Sequence, residues 1–403
     1  MLLMLLLPIA GFSQQKMTLA EMINQAQRQN LELQTERLQS TYWKQLQQGV
    51  FDAPKTEIGG EYGGISSPHR DTRVFLQQQF NMPSVYRKQQ AGFKSRELLQ
   101  NQQVNWKQSL LEREVKRIFY QMTDILERKQ LLYQLDTIFR KFSASADLRL
   151  RSGESNILEK TTADMQLLQV QLQHTQADAD LRILQQQLKI LLNTEAELLP
   201  EYTSAKLEPI LISDTSFEDH PEIQVREMET EVARAETEIA QSKLSPDVTL
   251  GYSNQSIIGY YSMDGINQKY YSGSDRFHVL NLTLGIPLFN RGIKSRIRAA
   301  GVAEDISRLN KDITRQRLSN EYNQLLAEFR KAADMVAYFE KAGIPQANLI
   351  IRSANLSFEN GEINYIEWSQ LMNNAVAIRS AYLDALASYN QALINLEYYN
   401  QKN

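Results

Sequence analysis

The stretch LRLRSGESNILE, Leu148–Glu159, returns as LSFENGEINYIE, Leu356–Glu367, at an offset of 208 residues. The copies share a leucine, a Gly-Glu pair, an asparagine and a closing glutamate. Gly153 and Gly361 each end a periodic apolar run, and glycine adopts the left-handed conformation that closes a helix. Asn156 stands three residues before Glu159, and Asn364 three before Glu367. That is capping-box spacing with asparagine as N-cap. Each copy therefore spells the end of one helix, a turn and the start of another, the tip of an antiparallel helical hairpin. Charge gathers at both tips: Asp147, Arg149, Arg151 and Glu154 in the first, Glu359 and Glu362 in the second. Turn chemistry alone accounts for the phrase. The functional reading puts both tips at one end of the molecule, where the charges meet each other or a partner.

The repetition extends outward from the tips. Asn30–Gln34 resembles His220–Gln224 at an offset of 190, and Pro54–Gly59 resembles Pro246–Gly251 at 192. Phe80–Arg87 resembles Leu284–Arg291 at 204. The matches are colinear, which points to a duplication. The expected organisation is a signal peptide over 1–13 and two structural repeats, 17–210 and 211–401. Each repeat holds a helix, a strand pair (about 55–82 and about 246–286) and a long helical hairpin with its tip near Gly153 or Gly361. The signal reading rests on the apolar start MLLMLLLPIAGFSQQ, with Gly11 and Ser13 as the small residues of a cleavage site.

The hairpin helices are legible from periodicity. Leu111, Val115, Ile118, Met122, Ile125, Leu132, Leu135, Phe139 and Phe142 fall mostly three and four apart, a coiled-coil seam. Between Ser84 and Arg151 there is no proline and one glycine, Gly92. A helix of that length is a rod of roughly 100 Å, too long to bury itself, and must pack beside others. The strands have period two. Leu280, Leu282, Leu284 and Ile286 alternate with Val279, Asn281, Thr283 and Gly285. Val248, Leu250 and Tyr252 do the same, as do Val74, Leu76 and Phe80, with Gln78 breaking the row. A soluble sandwich edge alternates equally well. Four strands of about ten residues also fit a membrane barrel, but four cannot close one, so several copies would be required. The loop Asn254–Ser274 carries Tyr260, Tyr261, Tyr270 and Tyr271, which suit a membrane rim or an ordinary surface loop.

Composition narrows the function. With 42% hydrophobic residues and a mean hydropathy of −0.44, the chain is not a bundle of membrane-spanning helices. A membrane barrel stays open, because its strands are only alternately apolar. The net charge of −3 and the lack of a basic run argue against nucleic acid. Without cysteine there are no disulfides, thiolate metal sites or thiol nucleophiles. The four histidines, His69, His174, His220 and His278, have no helical ligand spacing, so no metal site is expected. No nucleophile motif or glycine-rich phosphate loop stands out, and the chain reads as a non-enzyme without cofactor.

At this point the sequence resembles the TolC-type outer-membrane efflux proteins. The resemblance runs from about Met17 to Tyr399. It is carried by the opening helix Leu19–Leu33, the strand-to-helix phrase LGIPLFNRG at Leu284–Gly292, and the tip phrase GEINYIE at Gly361–Glu367. It implies a mixed, mainly α fold: a homotrimer whose subunits each give four strands to one twelve-stranded barrel and long helices to a periplasmic tunnel. The implied role is a passive duct working with an inner-membrane pump and a periplasmic adaptor that meets the tips. The implied place is the outer membrane of a Gram-negative cell, in contact with its lipid. Carried over by position, the tip, gate or adaptor-contact residues are Arg149, Arg151, Gly153, Glu154, Glu359, Gly361 and Glu362. The helix-start caps are Asn156, Glu159, Asn364 and Glu367; the strand-to-helix junctions are Pro83, Arg87, Pro287 and Arg291. Many pump-linked relatives carry a lipid-modified cysteine at the mature N-terminus, and this sequence has no cysteine. It also has no matched pair of gate aspartates: Asp164 follows the first tip, and Met372 takes the equivalent place in the second. The second tip and Tyr389–Tyr398 look most like members paired with heavy-metal pumps of the resistance-nodulation-division class. Drug efflux, type I secretion, and a soluble periplasmic coiled-coil adaptor or scaffold are the alternatives.

Overall fold

A computed structural model describes residues 15–209, 217–262 and 265–399. The expected signal peptide and the boundary between the repeats at 210–211 lie outside the described residues. Strand β1 (Gln15–Met17) precedes α1 (Leu19–Gln29). Thr18 caps α1 reciprocally: its Oγ1 accepts from the Glu21 amide at 3.4 Å, and Glu21 Oε2 accepts from the Thr18 amide at 2.9 Å. Asn30 then caps α2 (Leu31–Gln48) through Leu33 N at 3.0 Å. A hairpin of β2 (Glu57–Gly63) and β3 (Asp71–Asn81) leads to α3 (Pro83–Arg151), a helix of 69 residues. Pro83 stands at its first position, where the missing N–H would be unpaired anyway. Next come α4 (Ile157–Leu192) and β4 (Leu198–Pro200), which pairs in parallel with β1.

The order then repeats. Helix α5 (Pro221–Ser242) leads to β5 (Asp247–Gln255), a small hairpin of β6 (Gly259–Tyr261) and β7 (Lys269–Tyr271), and β8 (Phe277–Gly285). Then follow α6 (Arg291–Tyr338), α7 (Ile344–Glu359) and α8 (Tyr365–Tyr399). Two features differ from the sequence reading. The tyrosine-rich loop holds strands, with Tyr260 opposite Tyr270 and their rings 5.1 Å apart. And the long second helix is interrupted by a π-helical turn at Phe339–Gly343, just before Pro345. Proline has no N–H for the ladder and clashes with the preceding turn, which a wider turn accommodates.

The chain forms two compact units, and each draws on both halves of the sequence. The helical unit comprises Met1–Thr35, Val104–Ile223 and Arg315–Asn403. Here the α3 seam is buried. Leu111, Val115, Ile118 and Met122 pack with Leu181, Leu188 and Leu192 of α4 and Met22 and Ala26 of α1. Further along, Leu132, Leu135 and Phe139 pack with Val170 and Ala177 of α4 and with Tyr365, Trp368 and Met372 of α8. Trp368 is fully buried, stacked on Phe142 with centroids 3.5 Å apart, and its Nε1 donates to Asn355 Oδ1 at 2.9 Å. Ion pairs pin α3 to both neighbours: Lys129 to Asp178 of α4 at 2.5 Å and Arg128 to Asp384 of α8 at 2.7 Å.

Between α3, α4 and α8 runs a groove of about 330 Å³ lined by Arg117, Tyr120, Asp124, Asp180, Asn390 and Ile394. Burial pushes the Asp124 carboxyl up to about 6. Arg128 opposes the shift, while Asp384 and Glu127 add to it. His220 is buried against the rings of Tyr398 and Tyr399, and its Nδ1 accepts from the Glu222 amide at 3.2 Å. Burial lowers this imidazole to about 4, so it is neutral at physiological pH.

The sheet-bearing unit comprises Glu36–Gln103 and Gln224–Thr314. Its antiparallel sheet has the order β2-β3-β5-β8. Cross-strand rows are continuous: Ile58 pairs with Leu76, Leu76 with Tyr252, and Tyr252 with Leu280. Helices α2, α3 and α5 of this unit meet through mixed contacts. Arg96 reaches Glu236 at 2.6 Å and lies over the Trp43 ring at 4.9 Å. Gly92, the one glycine of α3, faces Ile239 so closely that an added Cβ would stand 2.6 Å from its Cδ1.

Two outcomes test this packing. Trp368→Ala leaves a cavity where α3, α7 and α8 meet and should cost about 3–5 kcal/mol, read as a lower melting temperature. Asp124 has a folded-state pKa above its unfolded value, so its favourable contribution is present below about pH 4 and lost as pH rises towards 6. Asp124→Asn should therefore raise the melting temperature at pH 7.5, by about 1–3 kcal/mol in stability, and gain less at pH 4.5. An equal gain at both pH values would refute the buried-charge account.

Candidate functional site

The two tips have one backbone design. Gly153 has φ of +77° and Gly361 of +72°. In the first, Gly153 N donates to Leu150 O at 3.2 Å and Glu154 N to Arg149 O at 2.8 Å. In the second, Gly361 N donates to Phe358 O at 3.1 Å and Glu362 N to Ser357 O at 2.8 Å. Both are Schellman closures, which satisfy the last helical carbonyls and require a left-handed residue. A β-carbon at either glycine would meet no neighbour within 4 Å. The requirement is conformational, not steric crowding.

The helix starts differ. Asn156 Oδ1 accepts from Glu159 N at 3.0 Å, and Asn364 Oδ1 accepts from Glu367 N at 3.0 Å. Only the second box is reciprocal, with Asn364 N donating to Glu367 Oε2 at 3.0 Å. In the first, the Glu159 carboxylate takes Arg149 Nη1 at 3.2 Å and the Ser155 hydroxyl instead. Arg149 and Glu159 thus tie the end of α3 to the start of α4. Arg151 pairs with Asp147 at 2.9 Å yet is 76% exposed in its side chain. Glu362 accepts from Ser357 Oγ at 2.8 Å. Glu154 and Glu359 are exposed. Among the described residues no ion pair joins one tip to the other, and the two arginines of the first tip are paired within it. Inside the first tip, Lys160 at 2.7 Å and Ser143 Oγ at 2.6 Å hold the Asp164 carboxyl below the usual carboxylate range. Met372 is fully buried.

Aromatic packing brings the hairpins together near their ends. Phe142 of α3 lies 5.3 Å from Phe358 of α7, and Tyr365 Oη donates to Gln166 Oε1 of α4 at 3.3 Å. The charge-based reading of the tips overlooked apolar residues that remain open around them: Leu148, Ile157, Leu158, Leu356 and Ile366. It also overlooked a second seam on α4, where Leu158, Met165 and Leu172 are exposed at steps of seven, matched on α7 by Leu349 and Leu356. A search for heptads on the face opposite the buried seam would have found them.

In the sheet, side chains divide by parity. Ile58, Val74, Leu76, Leu250, Leu280, Leu282 and Leu284 are exposed on one face. The other face carries Glu57, Glu61, Arg73, Gln77, Gln79, Asp247, Thr249, Ser253, Asn281 and Thr283. Gln78, the break in the apolar row, donates to Pro54 O at 2.6 Å and accepts from Thr56 Oγ1 at 2.5 Å, so its amide is satisfied. Among the described residues both outer strands, β2 and β8, have a free edge. At the junctions, Pro83 opens α3, Arg87 lies in its first turns, and Arg291 opens α6. Pro287 precedes Leu288 and Phe289, both strongly exposed. Among the described residues no helix is long and apolar enough to cross a membrane, and no cluster of three or more metal-ligating side chains occurs.

Residues 212–399 match the model of the outer membrane efflux protein family. No curated protein matches the chain in sequence. Among solved structures, CusC, described for conformational changes accompanying folding and transmembrane channel formation, is similar with a TM-score of 0.78 and 16% identity, over 96% of this chain and 92% of its own. A membrane protein from Pseudomonas aeruginosa is similar with a TM-score of 0.77 and 17% identity, over 98% of each chain. The CmeC outer membrane channel of Campylobacter jejuni has a TM-score of 0.76 and 14% identity, over 94% and 85%. At such identities these likenesses establish the fold. The match to the efflux protein family thus lies on residues 212–399, and the fold shared with CusC and CmeC extends over nearly the whole chain.

Proposed function

We propose that the protein is a passive trimeric duct that carries substrate from a pump and its periplasmic adaptor across the periplasm and the outer membrane. The observation that carries the reading is the four-stranded sheet with one apolar face, one polar face and two free edges. In a bilayer every backbone N–H and C=O must be paired, so an open sheet cannot stand there alone. Three copies joined edge to edge make a twelve-stranded barrel, with the leucine face towards lipid and the Glu, Gln and Asn face lining the pore. The open seams have the same implication. Val302, Ile306, Leu309 and Ile313 of α6 are exposed at coiled-coil steps, as are the residues on α4 and α7. Neighbouring copies would cover them.

In this arrangement the strand-connecting loops face outward from the cell and the helical tips lie in the periplasm. The tips, with Arg149, Arg151, Gly153, Glu154, Glu359, Gly361 and Glu362, are the gate and the adaptor contact. Heavy-metal cations are the cargo favoured by the resemblance of the second tip and of Tyr389–Tyr398. A drug or protein substrate would use the same duct.

Purified protein should require detergent and run as a trimer, and a detergent-independent monomer would overturn the duct. Charge reversal by Arg151→Glu or Glu362→Lys should change adaptor capture or leak conductance. If pull-downs and single-channel recordings both stay unchanged, the tips do not have this role.

A further inference from the structure

We propose that the outward face of the sheet holds a site for the phosphate of an anionic outer-leaflet lipid, built on Arg276 and His278 above the leucine column of β8. The inference rests on the membrane-barrel reading above and adds a ligand to it.

Arg276 precedes β8 by one residue, at the end of the sheet where the strand-connecting loops lie. Its guanidinium is pinned across three strands: Nε donates to Asn254 Oδ1 at 2.5 Å, Nη1 to Thr72 Oγ1 at 2.6 Å and Nη2 to the Asn254 carbonyl at 3.1 Å. These bonds use three of its five N–H donors and none of its charge. Among the described residues no carboxylate pairs with it. The acidic side chains of the sheet, Glu57, Glu61, Asp71 and Asp247, occupy odd-numbered positions on the opposite face.

His278 lies two residues further along the same face, about 7 Å away by strand geometry. Its Nδ1 is 2.6 Å from the Tyr252 hydroxyl and 3.4 Å from Asn254 Nδ2. The Asn254 oxygen is already committed to Arg276, so the amide presents only its N–H to the ring. Nδ1 therefore accepts, and the ring proton sits on Nε2, an exposed donor. The result is a pre-arranged set of donors with a net positive charge and no competing anion, which suits a phosphate.

What separates a lipid from a free anion is the surface next to it. Leu280, Leu282 and Leu284 continue the same face of the same strand and are 84%, 75% and 53% exposed. Leu250 and Leu76 flank them. A phosphate at Arg276 would leave acyl chains lying along this column, so the site joins headgroup recognition to an apolar track.

The test uses full-length protein in phosphatidylethanolamine vesicles containing either phosphorylated lipid A or lipid A stripped of its phosphates. The protein is re-extracted in mild detergent and co-purified lipid is counted by native mass spectrometry. Wild-type protein should retain the phosphorylated form about fivefold over the stripped form, the factor expected for one basic residue at a charged lipid surface. Arg276→Gln should abolish that preference while pore conductance stays normal, and Arg276→Lys should keep most of it. If Arg276→Gln does not insert, Arg276→Lys decides, since loss of preference in an inserted lysine variant contradicts the assignment. Equal retention of both lipids by inserted wild-type protein overturns the site but leaves the duct standing. So does displacement of lipid A by millimolar inorganic phosphate, which would mark a free-anion site. Failure of the wild type to insert removes the duct and the site together.

Discussion

Helix α3 is the element on which the architecture depends. A helix of 69 residues cannot bury its apolar seam within itself, so every part of it needs a lateral partner. In the helical unit the partners are α4 on one flank and α8 on the other, locked by apolar clusters and by the Lys129–Asp178 and Arg128–Asp384 pairs. Those ion pairs are partly exposed, so their role is to hold register more than to stabilise. The apolar seam and the Trp368 stack supply the larger share. In the sheet-bearing unit the same helix leans on α5 at Gly92, where only a hydrogen can stand against Ile239.

The second constraint is that burial in one subunit leaves apolar surface over. The leucine face of the sheet, the seam on α4 and α7, and the seam on α6 are each periodic and uncovered. Scattered exposed leucines need no explanation, but ordered rows do. Rows at period two fit lipid against a sheet, and rows at steps of three and four fit another helix. The division of polar residues agrees with this: the sheet places its carboxylates on the face opposite the leucines. One physical rule, that backbone and apolar surface must both be satisfied, accounts for the free edges and the open seams together.

Much of this was legible in the sequence because it is written in local periodicity. The seam from Leu111 to Phe142, the alternation of Leu280, Leu282 and Leu284, and the Gly and Asn positions of the tips all depend on residues a few places apart. The tips were read less completely. Their charges suggested contact with each other or with a partner; within the single chain Arg149 pairs with Glu159 and Arg151 with Asp147 inside one tip. The π turn before Pro345 and the tyrosine hairpin within the β5–β8 connection escaped notice. Each is a compromise between a local break and a long-range fit, with no repeat to announce it.

By itself, the sequence determined the periods: which segments are helix or strand, where each hairpin reverses, and which face of each element is apolar. These follow from backbone geometry and short-range sterics, which a window of ten residues already contains. Tertiary structure alone decided which surfaces meet. It placed Asp124 in a groove between three helices, where burial raises its carboxyl. It set His220 against Tyr398 and Tyr399 and laid Arg276 across three strands, with no carboxylate paired to it among the described residues. Desolvation and charge pairing depend on neighbours tens or hundreds of residues away in the chain, and no local pattern encodes them.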